Sequence, residues 1–263
     1  MNKLLGFEWR QNKRGFWIAF AVVVLLQAMF AGSAQSYIGN PSIGDMMKSM
    51  PQGMLEGFGI HPESLSTYEG WISGEPFTFF VLLLGFFAMN WAIGSIVKER
   101  DRQTAEFLFT LPRSRSEIYW SKWGAHLIQV LLVAVVSTAT VLVLGASSGL
   151  MEHSGAVMAV TTSGFLTTLG FMGIGYALTP WLNSERGALS IGIGLVLLMF
   201  LFNMLASFGD NLSWLADLSL FHLFDPFALS QGSGMPAAPI ATALALYAAG
   251  SLAGWVALLR RDL

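Results

Sequence analysis

Six stretches of the chain, residues 15–44, 76–97, 123–151, 153–184, 187–209 and 226–259, contain no Asp, Glu, Lys or Arg. Each reaches the roughly 20 residues a helix needs to cross the hydrocarbon layer of a bilayer. In hydrocarbon the backbone must bond within its own segment, and none of the runs shows the short alternating pattern of a barrel strand. The pattern predicts an all-α, polytopic membrane fold: one transmembrane domain over 1–263, with spans near 16–36, 76–97, 123–146, 157–181, 187–207 and 238–259.

Shorter amphipathic patterns lie between the spans. In residues 1–15, Lys3, Arg10 and Arg14 share one side of a helical wheel, while Leu5 and Trp9, with Phe16 just beyond, share the other. That is the pattern of an interfacial elbow helix, anchored on lipid headgroups. Between the second and third spans, Glu99, Arg102, Glu106 and Arg113 fall on one side and Thr104, Phe107, Leu108 and Leu111 on the other. Pro112 ends that helix. Ser114, with Glu117 three residues on, forms a capping box that starts the helix running into the third span. Residues 211–230, rich in Trp, Leu and Phe with no basic residue, predict short surface helices between the fifth and sixth spans. "MPQGMLEGFGIHPE" in the 37–75 loop predicts another, followed by a turn at His61 and Pro62.

Composition agrees with a lipid-solvated chain: 54% of residues are hydrophobic, 11% are charged, and the mean hydropathy is +0.59. The net charge of −2, without an acidic or basic block, argues against a nucleic-acid partner. The absence of cysteine removes disulfides, thiolate catalysis and Cys-ligated metals. His61, His126, His153 and His222 are scattered without metal-ligand spacing. No metal is assigned. The first span, preceded by basic residues and followed by "AGSA", also fits a cleavable signal peptide. A retained span is favoured, because it gives an even number of crossings.

Charge position sets the orientation. The N-terminus, residues 98–122, residues 182–186 and the C-terminus carry every Lys and Arg except Lys48. By the positive-inside rule these segments, and both termini, are cytoplasmic.

These residues together resemble the permease subunits of the ABC-2 family, the membrane halves of bacterial ATP-driven exporters. The resemblance covers essentially the whole chain and is most specific in the 98–122 loop. There Glu99, Arg100, Thr104, Leu111, Pro112, Ser114, Arg115, Glu117 and Lys122 match the family pattern, and Gln103 stands where a glycine is usual. The resemblance implies a cytoplasmic coupling helix at residues 99–113 that docks on a separate ABC ATPase. Its implied contact residues are Glu99, Arg100, Arg102, Thr104, Glu106, Phe107, Leu108, Leu111, Pro112 and Arg115. It also implies a second permease subunit, identical or related, a place in the bacterial inner membrane, and outward movement of substrate.

No Gly-Lys dipeptide occurs in the chain, so it contains no phosphate-binding loop. ATP and Mg are expected on the partner ATPase, with no cofactor on this chain and no enzymatic activity of its own. The spans hold no Asp, Glu, Lys or Arg in their central portions, which disfavours ion coupling. Polar residues such as Gln27, Asn90 and Thr140 are read as interhelical glue. A path with such uncharged walls suits an amphipathic or hydrophobic substrate. Small residues four apart, Gly250 with Gly254, Ala188 with Gly192 and Ser190 with Gly194, predict close helix packing. Two other readings stay open. An intramembrane protease needs a nucleophile and base at membrane depth, or an aspartate pair there, and no aspartate lies within the six uncharged runs. A membrane scaffold or mechanical transmitter needs no substrate at all.

Overall fold

Helices account for all the regular structure of the described residues, which in this computed structural model are 2–51, 53, 55, 61–101 and 114–260. Six of the helical segments are long and apolar enough to cross a membrane. In chain order the α-helices are α1 (Asn2–Gln11), α2 (Lys13–Tyr37), α3 (Pro41–Lys48), α4 (Tyr68–Ser73), α5 (Glu75–Asp101), α6 (Arg115–Ser148), α7 (Ser154–Leu178), α8 (Glu185–Ala206), α9 (Pro226–Ser230) and α10 (Ala237–Arg260). Tight 3-10 turns at Asp210–Leu218 and Leu220–His222 connect α8 to α9.

Helices α5 and α7 form the centre of the bundle and pack most extensively on one another. Both are enclosed, which explains why their sequences carry apolar residues on every side rather than a stripe. Helix α10 covers α7, α8 covers α5, and α2 pairs with α6. The outer helices leave apolar rows uncovered, such as Trp17, Ile18, Val22 and Leu25 on α2. Such rows are what a lipid-facing surface requires.

Helix termini explain where the chain stops and starts. The Ser114 side chain accepts from the Glu117 amide at 3.1 Å, so α6 begins where the capping pattern places it. Helix α6 ends at Gly149, whose φ of 70° suits a residue without a side chain.

The largest departure from the hydropathy pattern is α4. The uncharged run starts the second span at residue 76 and leaves residues 68–75 in a surface loop. In the structure all six residues of α4 are buried, and the chain passes through Gly74 directly into α5. The Thr67 hydroxyl accepts from the Gly70 amide, Tyr68 Oη donates to the Val141 carbonyl at 2.7 Å, and Trp71 Nε1 donates to the Phe30 carbonyl at 2.9 Å. Glu69 is the charge that hides this helix from a hydropathy reading. Its carboxylate, 2% exposed, accepts from the Glu152 and His153 backbone amides at the start of α7. The otherwise orphaned N–H groups and the positive end of α7 satisfy it. Glu69→Leu is expected to lower stability by about 1–3 kcal/mol, because it removes the acceptor of those part-buried amides. Thermal unfolding in detergent checks this, with Glu69→Gln, which keeps an acceptor oxygen, losing less.

Candidate functional site

The two ends of the bundle differ in charge. One end gathers the first helix, the end of α5, the starts of α6 and α8, and the end of α10, together with most of the Lys and Arg residues. Its centre is Lys122, two turns into α6, where the neighbouring Ile118 and Tyr119 are buried against the bundle. Helical spacing turns Lys122 inward with them. The side chain is 3% exposed, yet Nζ lies 2.9 Å from Glu8 Oε2 and 3.1 Å from Glu99 Oε1. Both carboxylates are 7% exposed. One ammonium therefore ties α1, the end of α5 and the start of α6 into a unit.

A polar cavity of about 70 Å³ adjoins the triad, lined also by Gln11, Asn12, Ser95, Lys98 and His126. Asn12 stands at the break between α1 and α2 and donates from Nδ2 to Gln129 Oε1 at 2.8 Å. The break in the chain is thus hydrogen-bonded to α6. His126 meets the Tyr176 hydroxyl at 3.3 Å and lies against Trp91, with no serine bonded to it.

Two further ties complete the brace. Asp101 Oδ2 accepts from the Glu185 amide at 3.1 Å, fastening the end of α5 to the start of α8. Tyr119 Oη donates to the Ser251 carbonyl at 2.6 Å, Trp123 Nε1 to Ser251 Oγ at 2.9 Å, and Trp255 Nε1 to Ser116 Oγ at 3.0 Å. These three bonds lock α6 to α10. The two roots of segment 102–113 are therefore held to every surrounding element at this end.

The residues expected to contact a partner divide accordingly. Arg102, Thr104, Glu106, Phe107, Leu108, Leu111 and Pro112 lie outside the described residues, as does half of "MPQGMLEGFGIHPE". The backbone of Arg100 belongs to α5, and Arg115 is partly exposed in the first turn of α6. Glu99 is placed differently from expectation. The wheel puts it on the outward charged side, whereas the structure turns it inward, because the Lys122 ammonium offsets its desolvation. Glu8, Asp101, Tyr119, Trp123 and Ser251 were not legible as site residues. The one available signal for Glu8 was an acidic residue alone among the basic ones of the first helix.

Small residues sit where helices meet. Gly250 and Gly254 are on the face of α10 that touches α7, and Ala188 and Gly192 on the face of α8 that touches α5. Ser190 and Gly194 face outward instead, with nothing within 4 Å of a Cβ built on Gly194. Of the polar span residues read as interhelical glue, Gln27 does join two helices, its Nε2 donating to the Pro76 carbonyl at 2.8 Å. Asn90 Nδ2 and the Thr140 hydroxyl instead donate within their own helices, to the carbonyls of Phe86 and Val136, both at 2.8 Å, because a carbonyl four residues back is the nearest acceptor.

At the opposite end a larger cavity of about 590 Å³ opens among the starts of α5 and α10 and the end of α8. Phe77, Phe221 and Phe224 supply its apolar wall, and Asn203, His222 and Asp225 its polar one.

Comparison with known proteins adds one match. The family model described as "ABC-2 family transporter protein" matches residues 7–263. No curated protein matches the chain.

Proposed function

The chain belongs to the ABC-2 transporter family, as a multi-pass permease component, and from that premise we propose that its braced end faces the cytoplasm and receives the stroke of a separate ATPase. The single observation that carries this reading is the bracing of both roots of segment 102–113 by Glu8–Lys122–Glu99, Asp101–Glu185 and Ser251. A loop that only fixed topology would need none of these buried ties. A loop pushed by a partner needs all of them, because a force on a loosely rooted segment dissipates before it reaches the spans.

Residues 99–113 act as the coupling helix. Phe107, Leu108 and Leu111 anchor it in a groove of the ATPase, while Arg102 and Glu106 orient the encounter at its rim. ATP and Mg bind on that partner. Glu99 contributes by positioning the loop rather than by touching the partner, since it is spent on Lys122. The positive-inside rule supports cytoplasmic termini, and the family supports a place in a bacterial inner membrane. The uncovered faces of α2 and α8, including Ser190 and Gly194, are available to lipid and to a second permease subunit, identical or related. An amphipathic or hydrophobic substrate moves outward between the subunits and leaves by the end where the 590 Å³ cavity opens.

The test is association. Leu108→Glu is expected to weaken copurification with a co-expressed P-loop ATPase subunit by about tenfold or more, while membrane insertion and thermal stability persist. Undiminished association and ATPase stimulation in that variant would overturn the docking role.

A further inference from the structure

At the end of the bundle away from the braced loop, α2, α3 and α4 enclose a separate cavity of about 240 Å³. Ile43, Met46 and Met50 form one wall, Tyr37 and Trp71 another, and Glu75 closes it at the start of α5. The Tyr37 and Trp71 rings stack with centroids 4.6 Å apart. The indole is fixed by the bond from its Nε1 to the Phe30 carbonyl, so the aromatic wall is in place before any ligand arrives. Glu75 is partly buried and makes no hydrogen bond or ion pair among the described residues, and no Lys or Arg is among the described side chains that line the cavity.

Aromatic faces, polarizable thioethers and one unpaired carboxylate form a set with a definite preference. Ring faces attract cations through their quadrupole, and a weakly hydrated ammonium gives up little on leaving water for such a wall. Methionine adapts to the alkyl groups around the nitrogen. The carboxylate supplies the counter-charge that a neutral or anionic ligand could not use. Around the cavity the field has the same sign. The three segments at this end, residues 37–75, 147–156 and 208–237, hold nine Asp and Glu residues against the single Lys48. Summed acidity of that kind concentrates cations at the surface.

The volume sets the size of the occupant. It falls below the roughly 300–1,000 Å³ of sites that enclose a drug-sized molecule, so it admits a headgroup and not a whole amphiphile. Met46 and Met50 are themselves exposed, which gives an apolar tail a route from the cavity to the surrounding lipid.

We propose that this cavity binds the head of an amphipathic organic ammonium ion, with Glu75 as its counter-ion, Tyr37 and Trp71 against the alkylated nitrogen, and the tail along Met46 and Met50. The site belongs to this chain alone and goes beyond the coupling role, so it stands or falls without the ATPase. Its ligand is either the choline-type headgroup of a membrane lipid or a freely diffusing cationic amphiphile, which share the same recognition chemistry.

The test uses the full chain in nanodiscs of phosphatidylglycerol, titrated with dodecyltrimethylammonium below its micellar concentration. Saturable binding is expected, and Glu75→Gln is expected to weaken it by about tenfold or more. The control Asp217→Asn, at an exposed carboxylate that lines neither this cavity nor the larger one, leaves it unchanged. The uncharged analogue with carbon in place of nitrogen binds at least about tenfold less tightly to the wild type. Equal affinity for that analogue, or an unchanged affinity in Glu75→Gln, overturns the proposal. Tyr37→Leu, at a partly exposed ring, is expected to cost several-fold, which keeps the site testable if Glu75→Gln proves unstable. Nanodiscs with added phosphatidylcholine separate the sources: competition assigns the lipid headgroup, and undiminished binding assigns the free amphiphile.

Discussion

Lys122→Met is expected to destabilise the chain by about 3–5 kcal/mol, the range measured when one partner of a buried ion pair is removed. Methionine keeps most of the stem's volume and withdraws only the ammonium, so the loss reports charge rather than packing. Glu8 and Glu99, whose carboxylates both lie within 3.1 Å of the same Nζ, then lose the cation they share. The expected readouts are a lowered thermal midpoint in detergent and loss of ATPase stimulation in proteoliposomes. The triple variant Glu8→Gln, Glu99→Gln, Lys122→Met separates stability from coupling. With no uncompensated charge left inside, it is expected to recover most of the lost stability, as neutral replacements of buried ion networks often do. If the proposed coupling role holds, ATPase stimulation is expected to stay impaired, since the shared ammonium no longer ties α1 and the end of α5 to α6. An unchanged midpoint in Lys122→Met would mean that the ammonium is solvated in the working protein, and the brace would no longer explain how force reaches the spans.

That triad shows where a sequence stops being informative. The six spans are legible because lipid imposes a length and an absence of charge on each run, and those constraints are local. The start of α6 is equally local, with Ser114 capping the amide three residues on. Lys122 and Glu8 are 114 positions apart, and no periodicity connects them. A helical wheel treats each helix as isolated, so it assigns Glu99 to an outward charged side and cannot register a cation arriving from a different helix. Charge counting has the same blind spot, because it spends Lys122 on topology. Helix α4 was hidden by the converse problem. Glu69 reads as a reason to stay in water, and its partners are two backbone amides of a distant helix start, which no side-chain pattern records. The paired small residues were legible as motifs and ambiguous as contacts. Ala188 and Gly192 meet α5, whereas Ser190 and Gly194, two positions further round the same helix, face outward.

Gly250→Val is expected to have the second large effect, at the junction of α7 and α10. A Cβ on Gly250 would overlap the carbonyl oxygen of Gly173 on the facing helix, and one on Gly254 would lie 2.6 Å from the Tyr176 carbonyl oxygen. The obstructing atoms are backbone, so no rotamer change can make room and the helices themselves must separate. Gly250→Ala is expected to cost about 1–3 kcal/mol, the usual range for overpacking, and Gly250→Val more. The damage should not stay local. Ser251, the next residue, holds the Tyr119 and Trp123 bonds that lock α6 to α10 beside the root of segment 102–113. Moving α10 away from α7 therefore strains the brace as well, and ATPase stimulation should fall together with thermal stability. Gly194→Ala is the matched control. That glycine has open space around it and should tolerate the methyl, with a gain of a few tenths of a kcal/mol up to about 1 from helix propensity. If Gly250→Val unfolds no more easily than Gly194→Ala, the contact between α7 and α10 does not carry the load assigned to it.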